Sequence, residues 1–201
     1  MAETGTVFVI SHPDDLLNYP ISEKREEEKK KDITPKLEVQ ITKKEQVERV
    51  VSLLPATLAD KFESVVNECW KIIETEMIPL IKWIQHGHAY VEGNLFLAHM
   101  DVTRRMTEFV DKRQNLFVVT ERLPEKARVL EIGFGAGFSA LLMLMSHPTL
   151  HLTCVDILQH NYTKPCFDFL VQRFGANRLT LLEGDSKSIK YPQHKFNLIF
   201  L

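Results

Sequence analysis

Three glycines at alternate positions mark Glu131-Ile132-Gly133-Phe134-Gly135-Ala136-Gly137, and a carboxylate stands two residues before the first of them. Glycine tolerates positive φ and, having no Cβ, lets a ligand come close to the backbone. A dinucleotide fingerprint, GxGxxG/A, would need a small residue at position 138. That residue is Phe138, and the third glycine is Gly137. The spacing therefore disfavours a nicotinamide-dependent oxidoreductase. Two further acids fall where a nucleoside would need them. Asp156 closes an apolar run, where a carboxylate can accept both ribose hydroxyls. Asp185 follows the next apolar run, in Leu182-Glu183-Gly184-Asp185-Ser186.

Such residues need a scaffold that brings them to one edge. From Ala127 onward the pattern alternates short apolar runs with helical segments. It predicts strands over 128–132, 150–157, 179–182 and 196–201. It predicts helices over 138–146, ended by Pro148, and over 162–174, stopped by Gly175. Repeated βαβ units with apolar strands imply an α/β fold with a parallel sheet covered by helices on both faces. In such sheets ligands bind beyond the carboxyl ends of the strands.

The preceding stretch, 41–122, reads as a helical extension or cap. Val47, Val50, Val51 and Leu54 share a helical face. Phe62, Val65, Val66, Cys69, Ile72 and Ile73 predict a longer helix, with Asp60 as its cap and Pro79 as its kink or end. Gly87 and Gly93 punctuate a loop. Val102, Met106, Phe109 and Val110 suggest a third helix. Residues 1–40 read as a loosely ordered segment, because the charged run 23–32 has no apolar face to bury. The sheet-forming unit is placed at 123–201.

With the elements in place, Val129-Leu130-Glu131-Ile132-Gly133-Phe134-Gly135-Ala136-Gly137-Phe138-Ser139, then Val155-Asp156, then Glu183-Gly184-Asp185-Ser186 resembles the class I, Rossmann-like S-adenosylmethionine-dependent methyltransferases. Within them it is similar to the small-molecule O-methyltransferase branch that includes the macrocin and catechol types. The resemblance covers roughly 125–201. It implies S-adenosyl-L-methionine as cofactor and a seven-stranded sheet of order 3-2-1-4-5-7-6, of which the first four strands are present. It places Glu131, Gly133, Gly135 and Gly137 on the methionine side, with Ser139 at the methionine carboxylate and Phe134 among the cofactor-binding residues. Asp156 then falls at the ribose, Ile157 counts among the cofactor-binding residues, and Asp185 and Ser186 fall near the adenine.

Two departures follow. Asn197 stands where the fourth strand commonly carries Asp, and the chain stops at Leu201, which reads as a truncated form. Strand four is then expected to be an apolar sheet edge. The implied activity is methyl transfer to oxygen of a small-molecule acceptor. The alternative is a non-catalytic cofactor-binding or partner-binding protein. No catalytic base is named, and a divalent metal would belong to a longer form of the chain.

Other residues invite chemistry and read more simply as structure. His86-Gly87-His88 offers two histidines but no further ligands. His99 reads as a helix-face histidine. His12-Pro13-Asp14-Asp15 resembles the zinc motif of N-acetylglucosaminyl deacetylases, yet it leads into a charged stretch. Trp70, Trp83 and Phe96 read as core rather than as a substrate wall, and Tyr90 is undecided. Cys69, Cys154 and Cys166 are widely spaced and form no CxxC pair, which fits a reducing compartment. The net charge of −2 supplies no basic field for nucleic acid. The apolar runs are too short for a signal peptide or a membrane span. The expectation is a cytoplasmic protein, with homo-oligomerisation left open.

Overall fold

The computed structural model describes residues 8–10, 55–88, 90–93, 95–98, 101–106, 109–192 and 195–201, and for residues 8–10 the backbone alone. The helical face at Val47 to Leu54, the charged run 23–32, the motif at His12 to Asp15, and His99 lie outside them.

The sheet grows from four runs whose residues suit buried pleated backbone: β4 (Arg128–Ile132), β5 (His151–Asp156), β6 (Leu179–Glu183) and β7 (Leu198–Phe200). Every pairing among them is parallel, in the order β7-β4-β5-β6. Parallel strands require crossovers, and helices supply them. Helix α4 (Phe138–Ser146) links β4 to β5, and α5 (Thr163–Phe174) links β5 to β6. The fold is thus α/β and Rossmann-like, a parallel sheet flanked by helices.

Helix α4 is apolar almost all round. Leu141, Leu142 and Met143 are fully buried, as a helix covered on every side should be. Its partners are α1 (Ala56–Ile72) and α3 (Val110–Glu121). One core cluster runs from Cys69, Trp70 and Ile73 through Leu141 to Leu152 and Leu198. The N-terminal helices therefore share their buried surface with the sheet. Each fully buried aliphatic side chain contributes about 1.5–3 kcal/mol to holding them together.

Several local expectations change. Helix α1 starts at Ala56 with Pro55 as its cap, so Asp60 lies inside the helix. The Pro55 carbonyl accepts from the N–H groups of Leu58 and Ala59 (2.8 and 3.0 Å). Pro79 does not end the helical run. A π-helical turn, Ile73–Met77, precedes it, and α2 (Ile78–Ile84) carries the proline near its start. The third helix begins at Val110. The residues before it form β3 (Asp101–Arg105), antiparallel to β2 (Leu97–Ala98). Val102 and Val110 belong to different elements, because four apolar positions fit more than one period. Trp70 and Phe96 do enter the core and meet edge to face at 5.3 Å. Trp83 does not, at 79% exposure.

The largest change is at the sheet edge. β7 is not left open: β1 (Phe8–Ile10) pairs with it in parallel, Phe8 opposite Leu198 and Ile10 opposite Phe200. Among the described residues the sheet has five strands, β1-β7-β4-β5-β6. Asn197 secures the near side of β7: its side-chain oxygen accepts from the Arg128 N–H at 2.8 Å, and its own N–H donates to the Arg128 carbonyl at 2.7 Å. Among the described residues no helix is long and apolar enough to cross a membrane.

Candidate functional site

The glycine loop leaves the carboxyl end of β4 and turns straight into α4. The Gly133 N–H still donates to the Val155 carbonyl at 2.8 Å, extending the β4–β5 ladder into the loop. Gly137 sits at φ +79, and the Phe134 ring folds back over it. A Cβ there would lie 2.4 Å from Phe134 Cζ. Phe134 is itself fixed by an edge contact with Phe167, ring centroids 5.5 Å apart. Gly137→Ala is therefore expected to displace the ring and lower stability by about 1–3 kcal/mol. A thermal melt checks this, and an unchanged midpoint would rule out the close approach.

Asp156, at the carboxyl end of β5, joins the two neighbouring loops. One carboxylate oxygen accepts from the Gly135 N–H at 3.0 Å and the other from the Leu158 N–H at 2.7 Å. Each oxygen keeps further lone-pair capacity for a ligand. Leu158 takes a positive φ of 54 to make its bond.

Beneath the loop lies a second carboxylate. Glu131 is fully buried. It accepts a hydrogen bond from the Ser139 hydroxyl, and one from the Cys154 thiol at 3.3 Å. Burial pushes its carboxyl up to about 7; the bonds from Ser139 and Cys154 oppose this, and Asp156 adds to it. Burial and Glu131 hold the Cys154 thiol well above its ordinary range, so it stays a donor.

A stability consequence follows from linkage. Between the ordinary carboxylate value near 4.5 and about 7, the folded state holds a proton on Glu131 that the unfolded state has released. Glu131's share of stability is thus whole below that window and is lost as pH rises through it, on the order of 3 kcal/mol in all. Denaturant unfolding at pH 5 and pH 7.5 is expected to show a steeper fall in the wild type than in Glu131→Gln. Equal slopes would contradict it.

These elements enclose a cavity of ≈ 700 Å³. Gly133 to Ala136, Phe138 and Ser139 form the loop side. Asp156, Ile157, Gln159 and His160 come from the end of β5. Phe109, Asp111, Lys112, Asn115 and Leu116 come from the start of α3, and Phe200 and Leu201 from the end of β7. Phe109 adopts φ 42, an uncommon conformation for an aromatic residue, and Lys112 Nζ lies 5.5 Å from its ring centroid. Glu92 also lines the cavity. It meets His160 Nε2 at 3.2 Å, and its N–H donates to the Tyr162 hydroxyl at 3.2 Å. His160 stacks on Tyr162.

Of the residues singled out from sequence, Gly133, Phe134, Gly135, Ser139, Asp156 and Ile157 line this cavity. Glu131 lies behind Ser139, and Gly137 behind Phe134. Asp185 and Ser186 are not on its walls. Asp185 is exposed and accepts from the Lys187 N–H at 2.9 Å, while the Ser186 carbonyl accepts from the Tyr191 hydroxyl at 2.7 Å. Among the described residues no group of three or more His, Cys, Asp or Glu is placed to hold a metal ion. His86 and His88 sit in an exposed turn. Sequence reasoning missed the α3 wall and the Glu92–His160 pair. The αL residue at Phe109 leaves no motif, and Glu92 and His160 are far apart in the chain.

No protein-family profile matches the chain. It is similar to the ribosomal RNA small subunit methyltransferase G of Lactobacillus acidophilus, 28% identical over 111 residues, which take in 50% of this chain and 45% of that protein. The chain thus spans less than half of that relative's length. Among solved structures, YcgJ from Bacillus subtilis is 25% identical with a TM-score of 0.35, over 44% of this chain and 36% of that one. The SAH-bound methyltransferase PaMTH1 of Podospora anserina is 15% identical with a TM-score of 0.42, over 84% and 60%.

Proposed function

We propose that this chain carries the cofactor-binding part of an S-adenosylmethionine-dependent methyltransferase. One observation carries the reading: a carboxylate at the end of β5, Asp156, is tied to the Gly135 N–H and faces the same cavity as the loop. The residues present fit the group. Apart from the adjoining residues, no described atom lies within 4 Å of where a Cβ would stand on Gly133 or Gly135, so the loop is open on that side. The cavity's ≈ 700 Å³ is within the range of small-molecule sites.

In this reading Gly133 and Gly135 receive the methionine portion. Asp156 accepts the ribose hydroxyls, and Ile157, 58% exposed beside it, covers the adenosine. Phe134 and Gly137 set the loop's shape, and Glu131 holds Ser139 from behind. Asp185 and Ser186 take no part in it. When bound, the cofactor supplies a methyl group on a sulfonium, a carbon already joined to a good leaving group. The chain's own work is alignment and the exclusion of water.

For the acceptor, a small molecule methylated on oxygen is the primary reading. The α3 wall brings Asp111, Lys112 and Asn115 onto the same cavity as the glycine loop, whose volume suits a small molecule. A ribosomal RNA acceptor is the second reading, favoured by the name of the relative from Lactobacillus acidophilus. A chain that binds the cofactor without turnover is the third.

Calorimetric titration with S-adenosylhomocysteine, beside NADH, tests the cofactor reading. Saturable binding of the first and none of the second is expected. The reverse order, or no binding by a folded chain, would overturn it. Transfer of a labelled methyl group to phenolic small molecules or to ribosomal RNA then separates the acceptors.

A further inference from the structure

Several polar side chains around the cavity are already engaged. Ser139 donates to Glu131, Asp156 accepts from Gly135 and Leu158, and Glu92 meets His160. Asp111 and Asn115 line the same cavity from α3. Among the described residues neither of these two side chains has a hydrogen-bond or ion-pair partner. They stand four residues apart in one helix, so they share a face. Lys112 does not offset Asp111 on that face. Consecutive helical residues do not face each other, and Lys112 Nζ lies over the Phe109 ring, 5.5 Å from its centroid.

Apolar groups complete the wall. Phe109 precedes the helix at φ 42 and is 41% exposed; a non-glycine residue held at positive φ is strained, and such strain collects at ligand sites. Phe200 and Leu201 reach the cavity from the end of β7. The wall therefore offers an apolar surface beside an unspent carboxylate and an unspent carboxamide. That combination sets the charge of what it takes. A ligand that fills the cavity strips water from Asp111, and a carboxylate without water or a partner is costly. A hydroxyl compensates it in part, whereas an ammonium makes a charge-assisted bond roughly twice as strong. An anion would meet Asp111 with Glu92 and Asp156 on the same cavity.

We propose that Asp111 and Asn115 recognise the methyl acceptor, and that the acceptor is a small molecule bearing a cationic amine. Asp111 takes the ammonium. Asn115, which can both donate and accept, takes a neighbouring polar group, and Phe109 and Phe200 take the apolar body. The assignment rests on the methyltransferase reading above and narrows its acceptor. It also weighs against RNA, whose phosphates bring the wrong charge to this wall.

Three phenols of similar size supply the test: para-hydroxybenzylamine, para-hydroxybenzyl alcohol and para-hydroxybenzoate. Each is titrated by NMR, at neutral pH and low salt, into the full chain saturated with S-adenosylhomocysteine. The amine is expected to bind about tenfold or more tightly than the benzoate, with the alcohol between them. Added salt at about 0.5 M should narrow that gap. Asp111→Asn should bring the amine and the alcohol to within about twofold of each other. Benzoate binding as tight as the amine's overturns the assignment and turns attention to Lys112. So does an amine preference that survives undiminished in a folded Asp111→Asn. Should that variant fold poorly, the order of the three compounds on the wild type still decides the sign of the charge. A wild type that binds S-adenosylhomocysteine but none of the phenols overturns the acceptor assignment and leaves the cofactor reading standing. A folded wild type that does not bind S-adenosylhomocysteine ends both.

Discussion

Asp156→Ala is expected to weaken S-adenosylhomocysteine binding on the order of a hundredfold or more. Two terms contribute. A ribose diol would lose a charged acceptor for its two hydroxyls, and hydrogen bonds to charged groups contribute about 1.5–3 kcal/mol each. At roughly 1.4 kcal/mol per tenfold, that passes a hundredfold before any effect on the loop. The second term is positional: Asp156 holds the Gly135 N–H at 3.0 Å and the Leu158 N–H at 2.7 Å, so both loops bordering the cavity lose an anchor. Asp156→Asn keeps the size and one accepting oxygen, and should fall between wild type and alanine. Calorimetry on variants with native-like circular dichroism separates lost contacts from unfolding. Alanine binding within threefold of wild type would exclude a nucleoside contact at this carboxylate.

Arg178→Met is expected to lower stability by about 2–4 kcal/mol, a drop in melting midpoint of roughly 5–15 °C. The guanidinium donates to three carbonyls that would otherwise lack a partner from secondary structure. Its Nε reaches Leu150 at 3.2 Å, and one terminal nitrogen reaches Leu144 at 3.2 Å and His147 at 2.5 Å. Leu144 lies in the last turn of α4, where helix carbonyls have no partner within the helix. Partial burial draws the guanidinium below its usual range. Methionine fills similar volume and stacks on Phe174 much as the arginine does, so the loss isolates the donors. A midpoint shift under 2 °C would show that water replaces them at no cost.

How much of this was legible depends on where the signal was local. The strand at β4, the loop and α4 were read to the residue, because the apolar run, the glycines and Pro148 are contiguous. The ends of β5 and α5 shifted by one residue, the usual fate of boundaries. Helix α3 was harder. It buries Arg113 and Gln114 alongside Leu116 and Phe117, so its polar and apolar residues do not separate into faces, and its start was placed too early. That cost the α3 wall of the cavity. Asp185 differs from the other two acids for a local reason. Its carboxylate caps a turn at the end of β6, and turn residues and ligand-binding residues are both commonly Asp. The strand at Phe8–Ile10 was unreadable as such, since nothing near it says that its partner is β7.

That last pairing also sets an order of events. The two strands that close the sheet edge lie at opposite ends of the sequence. Their association demands the longest chain closure among the described strands, and such closures come late in folding because their entropy must be met before any contact rewards them. During synthesis β1 leaves the ribosome first, yet it has no place to settle until β7 follows. The edge strand is therefore a latch, thrown only once the rest of the sheet is assembled.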